Sequence, residues 1–157
     1  MVQALRLVII SGLSGSGKTH AIKCFEDLGF FCVDNLPPAL IPKFSELCMQ
    51  QGGEVRNVAL GIDIRERGFF ADLFANVDRV KSLGVPVELL FLEARDEVLV
   101  RRFSESRRPH PLLPHSPVLD GVQLELERLL ELKRRADRIL DTSDLTVHEL
   151  KDLLARH

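Results

Sequence analysis

Strands and helices alternate along these 157 residues, and the alternation predicts an α/β fold: a three-layer sandwich on a mostly parallel, five-stranded sheet. Three observations carry the prediction. Short apolar runs such as Leu7–Ile10, Val58–Leu60 and Leu89–Leu92 read as strands buried on both faces. The segments between them carry apolar residues at helical spacing. Glycine, proline, aspartate and asparagine punctuate the junctions. The length suits one domain, 1–157, with a full hydrophobic core.

The first strand is Leu5–Ile10, interrupted only by Arg6. A glycine-rich stretch, Gly12–Thr19, leads into a helix with Ala21, Ile22, Phe25 and Leu28 inward, and Gly29 suits its C-terminal cap. Phe30–Val33 reads as the second strand and ends at Asp34-Asn35. Pro37 and Pro38 open a helix whose apolar stripe is Leu40, Phe44, Leu47 and Cys48, stopped by Gly52-Gly53. Asn57–Asp63 is the third strand, and Phe70, Leu73, Phe74 and Val77 mark a helix closed by Gly84. Val87–Leu92 is the fourth strand, with Glu93 at its end. Asp96 suits a helix cap, with Leu99 and Phe103 inward and Arg101 and Arg102 on a solvated face.

Ser104–Pro117 differs in kind, with four Pro, two His, two Arg and no periodicity, and reads as a mobile loop or lid. Val122, Leu126, Leu129 and Leu130 mark a long helix ending in Lys133-Arg134-Arg135. Ala136–Asp141 contains the fifth strand. Thr146 and Glu149 have capping-box form and start a last helix with Val147, Leu150 and Leu154 inside.

Composition narrows the function classes. Hydrophobic residues make up 45% and charged residues 28%, with a net charge of −2, which argues against RNA binding by this domain alone. The Lys133–Arg138 run lies where a helix C-terminus draws cations anyway. Cys24, Cys32 and Cys48 are odd in number, form no C-x-x-C pair and sit among apolar residues, which reads as buried thiols of a reducing cytoplasm. No apolar run approaches the ~18 residues of a membrane span, and the N-terminus lacks a signal-peptide layout. The expected location is cytoplasmic.

Gly12-Leu13-Ser14-Gly15-Ser16-Gly17-Lys18-Thr19 has the spacing G-x-x-x-x-G-K-[ST] between strand and helix. Its glycines let successive N–H groups face one concavity, and the helix that follows adds its positive dipole end. Lys18 is the point charge for the β- and γ-phosphates, and the Thr19 hydroxyl is placed for Mg²⁺. The expected fold is thereby the P-loop nucleoside-triphosphatase type. Ligands of such sheets lie at the strands' carboxyl ends, which gathers Asp34, Asp63–Glu66, Glu93 and Asp141-Thr142-Ser143 at one crevice. Asp34, Asp63 and Glu93 compete to organise the metal or the water. Asp63 leads, because Arg65 is in reach of a phosphate; Glu93 closes the most apolar strand. Arg107 and Arg108 on the lid segment are candidate phosphate contacts. His110 and His115 lack metal-ligand spacing and receive no role.

Several blocks together resemble the bacterial RapZ/YvcJ family of nucleotide-binding proteins, also called RNase adapter proteins. They are Ser11–Thr19, Phe31–Pro37, Asp63-Ile64-Arg65, Leu90–Ala94, Arg101–Leu112 and Asp141-Thr142-Ser143, in the family's order. The resemblance implies an ATP site at Gly12–Thr19 and a GTP-binding segment at Asp63-Ile64-Arg65-Glu66. The family pattern there ends in Asn, whereas Glu66, when ionised, only accepts hydrogen bonds. It also implies weak ATPase and GTPase activity and, in full-length members, a link to small-RNA processing. The family's C-terminal domain is not among these 157 residues.

The leading expectation is a domain that binds and slowly hydrolyses ATP, and GTP as a second substrate, with Mg²⁺. Its nucleotide state would regulate a protein partner or an attached domain, and an oligomer is compatible with this. One alternative is a small-molecule kinase in which Asp34 orients the acceptor hydroxyl. The other is an RNA-binding adapter with a vestigial nucleotide site.

Overall fold

The structure, a computed structural model, describes residues 5–50, 56–62, 69–106, 110–113 and 116–156. Five strands form one sheet: β1 (Arg6–Gly12), β2 (Phe31–Val33), β3 (Asn57–Gly61), β4 (Val87–Glu93) and β5 (Arg138–Asp141). Every pairing is parallel, in the order β2-β3-β1-β4-β5. Ile9 of β1 lies between Leu60 of β3 and Leu89 of β4. The chain leaves β1 outward to β2, returns through β3 and then crosses to β4. The C-terminal end of β1 is thus the point where the winding reverses.

Among the described residues six α-helices cover the sheet: α1 (Lys18–Asp27), α2 (Ile41–Met49), α3 (Phe69–Ser82), α4 (Asp96–Ser106), α5 (Val118–Arg135) and α6 (Val147–Ala155). Side chains alternate across the central strands, which makes two cores. Val8, Ile10, Leu90 and Leu92 pack with Ile22 and Phe25 of α1 and Leu150 and Leu154 of α6. Leu7, Ile9, Leu89 and Phe91 pack with α2 to α5 through Ile41, Leu73, Leu99 and Leu129. The three-layer α/β expectation therefore holds.

Four local expectations change. On α6 only Leu150 and Leu154 are buried, while Val147, expected inside, is 54% exposed in the first turn. On α2 the buried residues are Ile41, Pro42, Ser45 and Cys48, while Leu40 and Leu47 are 50% and 47% exposed. Leu40 belongs to a 3₁₀ turn at Pro38–Leu40 that precedes the helix, while Phe44 and Cys48 of the expected stripe do face the core. Ser104–Ser106 continue α4 instead of opening a loop, and His110 is fully buried. On α5 the inward stripe runs through Val122, Glu125, Leu129 and Leu132, with Leu130 exposed. The capping box is present: Thr146 Oγ1 accepts from Glu149 N at 3.1 Å, and Thr146 N donates to Glu149 Oε1 at 3.1 Å. Among the described residues, no helix is long and apolar enough to cross a membrane.

Candidate functional site

The glycine loop leaves β1 at Gly12 and enters α1 at Lys18. Gly12 has φ 147°, and a Cβ there would overlap the backbone of Leu92, so the loop turns against β4 only because that atom is missing. Gly17, with φ 103°, is the N-cap of α1, and it brings neither a side-chain cap nor an acid in the first turn. The first-turn N–H groups of a helix have no intrahelical partner. Here they join Ser14–His20 in lining a cavity of about 930 Å³. The Ser16 hydroxyl is fully buried behind the loop and has no hydrogen-bond partner among the described residues.

Three elements hold the loop from outside. Glu125 of α5 accepts from Ser14 N and from Ser14 Oγ, both at 2.6 Å. Arg102 of α4 donates to Gly15 O at 2.9 Å and to Thr142 O at 2.8 Å. Thr142, just past β5, donates its hydroxyl to Ser16 O at 2.6 Å and accepts from Arg102 at 3.2 Å. The carbonyls of Gly15 and Ser16 are therefore taken up by Arg102 and Thr142. That leaves the concave side to donors and a positive helix end, which is the chemistry of anion capture.

Electrostatics follow from these contacts. Burial, and then the neighbouring Arg101, lowers the Arg102 pKa from its usual value. Arg95 forks onto Asp144 at 3.0 and 3.2 Å, and its N–H donates to Ser143 Oγ at 2.8 Å, which ties the loop after β5 to the end of β4. Asp144 is held low by that hydrogen-bonded guanidinium, and Asp141 by hydrogen bonds from Ser143.

The expected site residues are placed as follows. Gly12, Leu13, Ser14, Gly15, Ser16, Gly17, Lys18 and Thr19 form one turn at the end of β1, and Lys18 and Thr19 line the cavity. Thr142 lines the cavity too. Glu93 ends β4, and its carboxylate is paired with Lys133 of α5 at 2.5 Å. Asp34 sits against the end of β3, where a Cβ on Gly61 would lie 2.5 Å from its Oδ1 and 2.7 Å from Ile22 Cδ1. Asp63, Ile64, Arg65, Glu66, Arg107 and Arg108 lie outside the described residues.

Two contributors escaped the sequence reading. Arg102 was assigned to a solvated face, yet it bridges the loop and Thr142. Glu125 received no role. Its signal was present, because it follows Val122 by three and precedes Leu129 by four, which sets an acid in an apolar stripe.

Comparison with known proteins bears on the family and the fold. The family model described as RapZ-like N-terminal domain matches residues 5–157. A nucleotide-binding protein of Clostridium botulinum strain Hall is 55% identical over 150 residues, covering 96% of this chain and 51% of that protein. One of Clostridium kluyveri is 53% identical over 152 residues, 97% of this chain and 52% of that protein. The chain thus spans about half the length of these curated relatives. Among solved structures, shikimate kinase from Bacteroides thetaiotaomicron superposes with a TM-score of 0.66 at 19% identity, over 98% of each chain. A gluconokinase from Sinorhizobium meliloti gives 0.56 at 18% identity, over 98% of this chain and 94% of its own. At such identities the likeness is one of fold.

Proposed function

The chain belongs to the RapZ-like N-terminal domain family, and from that footing we propose that it binds a nucleoside triphosphate above the glycine loop and hydrolyses it slowly. ATP is the first substrate and GTP the second, and the outcome is regulatory. The observation that carries the reading is the loop Gly12–Thr19, with two carbonyls taken up by Arg102 and Thr142 and an uncapped helix start at the cavity. Such a cradle favours a polyphosphate. The name of the relatives, nucleotide-binding protein, agrees.

Lys18 is the residue for the β- and γ-phosphates, and the Thr19 hydroxyl would hold Mg²⁺. When bound, Mg²⁺ neutralises charge on the phosphate oxygens. The protein's own part is positioning: the loop orients the phosphates. Asp63 stays the first choice for orienting the attacking water. Glu93 ranks lower, because its carboxylate is engaged by Lys133. The segment Asp63–Glu66 and the lid arginines Arg107 and Arg108 are proposed as further nucleotide contacts. The remaining half of the longer relatives is the natural reader of the nucleotide state.

The test is direct. Nucleotide binding by calorimetry and phosphate release are measured for wild type and Lys18→Ala, with ATP and GTP in parallel. Loss of both in the variant is expected; equal values in the two proteins would sink the reading.

Asp34 favours a second reading, a small-molecule kinase. It is exposed at the end of β2 and reaches over the end of β3 beside α1, where it could accept a proton from a hydroxyl. ADP production that depends on an added acceptor, and is lost in Asp34→Asn, would replace the regulatory reading by this one.

A further inference from the structure

We propose that Glu125 and His110 form a positioning relay, through which the segment His110–Leu113 sets the shape of the glycine loop. Its affinity readout rests on the nucleotide reading above; its structural readout does not.

The relay is built from buried groups. Glu125 is 5% exposed, and both of its oxygens are used on Ser14. His110 is 0% exposed. Its Nδ1 accepts from Leu112 N at 3.1 Å, so the neutral ring carries its proton on Nε2. Nε2 lies 3.4 Å from Glu125 Oε1, within ion-pair range but short of a formed hydrogen bond, and it has no other partner among the described residues. The ring is caged. Phe103 packs on it at a centroid distance of 5.2 Å, and a Cβ on Gly121 would lie 2.6 Å from His110 Cβ. The same Phe103 ring comes within 3.3 Å of the place a Gly15 Cβ would take, so it touches the loop as well.

A structural filler would not look like this. Burying a carboxylate is costly, and an apolar residue could occupy that place between Val122 and Leu129 without the cost. A carboxylate beneath the loop also repels a polyphosphate. What offsets both is the hold on Ser14. With that N–H committed to Glu125, the donor cradle begins one residue later, at Gly15, and the planes that follow are set. The slack at Nε2 gives the relay its sense. A small shift of His110 closes or opens its contact with Glu125 and changes how firmly Ser14 is held.

The test is hydrogen exchange of the full chain, with MgATP titrated by calorimetry. Glu125→Ala is expected to speed exchange of the Ser14 amide by about tenfold or more and to weaken MgATP by about tenfold, with helical circular dichroism unchanged. Glu125→Gln, whose amide oxygen still accepts from Ser14 N, is expected to keep both within about threefold of wild type. His110→Ala moves Ser14 exchange in the same direction by less. Linkage is reciprocal, so MgATP slows exchange of the Leu112 amide in wild type. A folded Glu125→Ala with wild-type Ser14 exchange overturns the relay, as does a His110→Ala whose effect stops at Leu112. If Glu125→Ala does not fold, Glu125→Gln and His110→Ala decide. If wild type fails to bind MgATP, the nucleotide reading falls, and Ser14 exchange alone still judges the relay.

Discussion

At the scale of single residues, the loop depends on side chains remote from it in sequence, and Arg102 is the sharpest case. One guanidinium satisfies Gly15 O and Thr142 O together. Arg102→Ala leaves both carbonyls to find water and should cost about 1–3 kcal/mol of MgATP affinity, roughly a 5- to 150-fold rise in Kd. Arg102→Lys should restore little, because an ammonium lacks the planar fork. Calorimetry on the three proteins checks this; a wild-type Kd in Arg102→Ala would mean that the carbonyls keep their direction unaided. The cysteines invite a different measurement. Burial, and then Glu26, push the Cys32 thiol up to about 11. At pH 8 only about one molecule in a thousand then carries the thiolate, the reactive form. Alkylation at Cys32 should therefore be slow in the native protein and speed up as pH rises toward 11. Labelling as fast at pH 8 as in urea would refute this.

At the scale of elements, periodicity located the helices well and their faces less well. Regular runs such as Leu89–Leu92 are legible because burial on both faces admits only apolar residues. The α2 stripe holds at Phe44 and Cys48 and fails at Leu40, which belongs to a 3₁₀ turn before the helix, and at Leu47, which lies off the face that Ile41, Ser45 and Cys48 bury. His110 and the start of 104–117 were misread for a related reason. Prolines suggested irregular chain, whereas the depth of His110 is set by Gly121, a contact made only in three dimensions. The face assignment is testable. Ile41→Ala should cost about 2–5 kcal/mol in urea denaturation, and Leu47→Ala within about 0.5 kcal/mol. Comparable losses at the two positions would restore the original stripe. At α6, Thr146→Ala removes the cap acceptor for Glu149 N and should cost about 1 kcal/mol by the same measurement.

At the scale of the molecule, the strand order makes the glycine loop a junction of all three layers. It leaves the central strand, opens the helix on one face, and is gripped by α4 and α5 from the other. That explains why the loop itself was legible and its supports were not. The G-x-x-x-x-G-K-T spacing is local, whereas Glu125 and Thr142 lie 111 and 126 residues from their partners. It also means that a ligand on the loop braces elements from both cores at once. A ligand that binds only the folded chain at 100 times its Kd stabilises it by about 2.7 kcal/mol. For a chain of this length that is roughly 5–10 °C in Tm. MgATP should raise the melting temperature of wild type by about that much when present at such excess. It should leave Lys18→Ala unmoved, and adenosine, which lacks phosphates, should shift neither protein. Because the loop ties α1 to α4 and α5, the rise should be seen as one cooperative transition by circular dichroism. A rise confined to one phase of a split melt would mean that the two cores unfold separately, and that the loop does not join them.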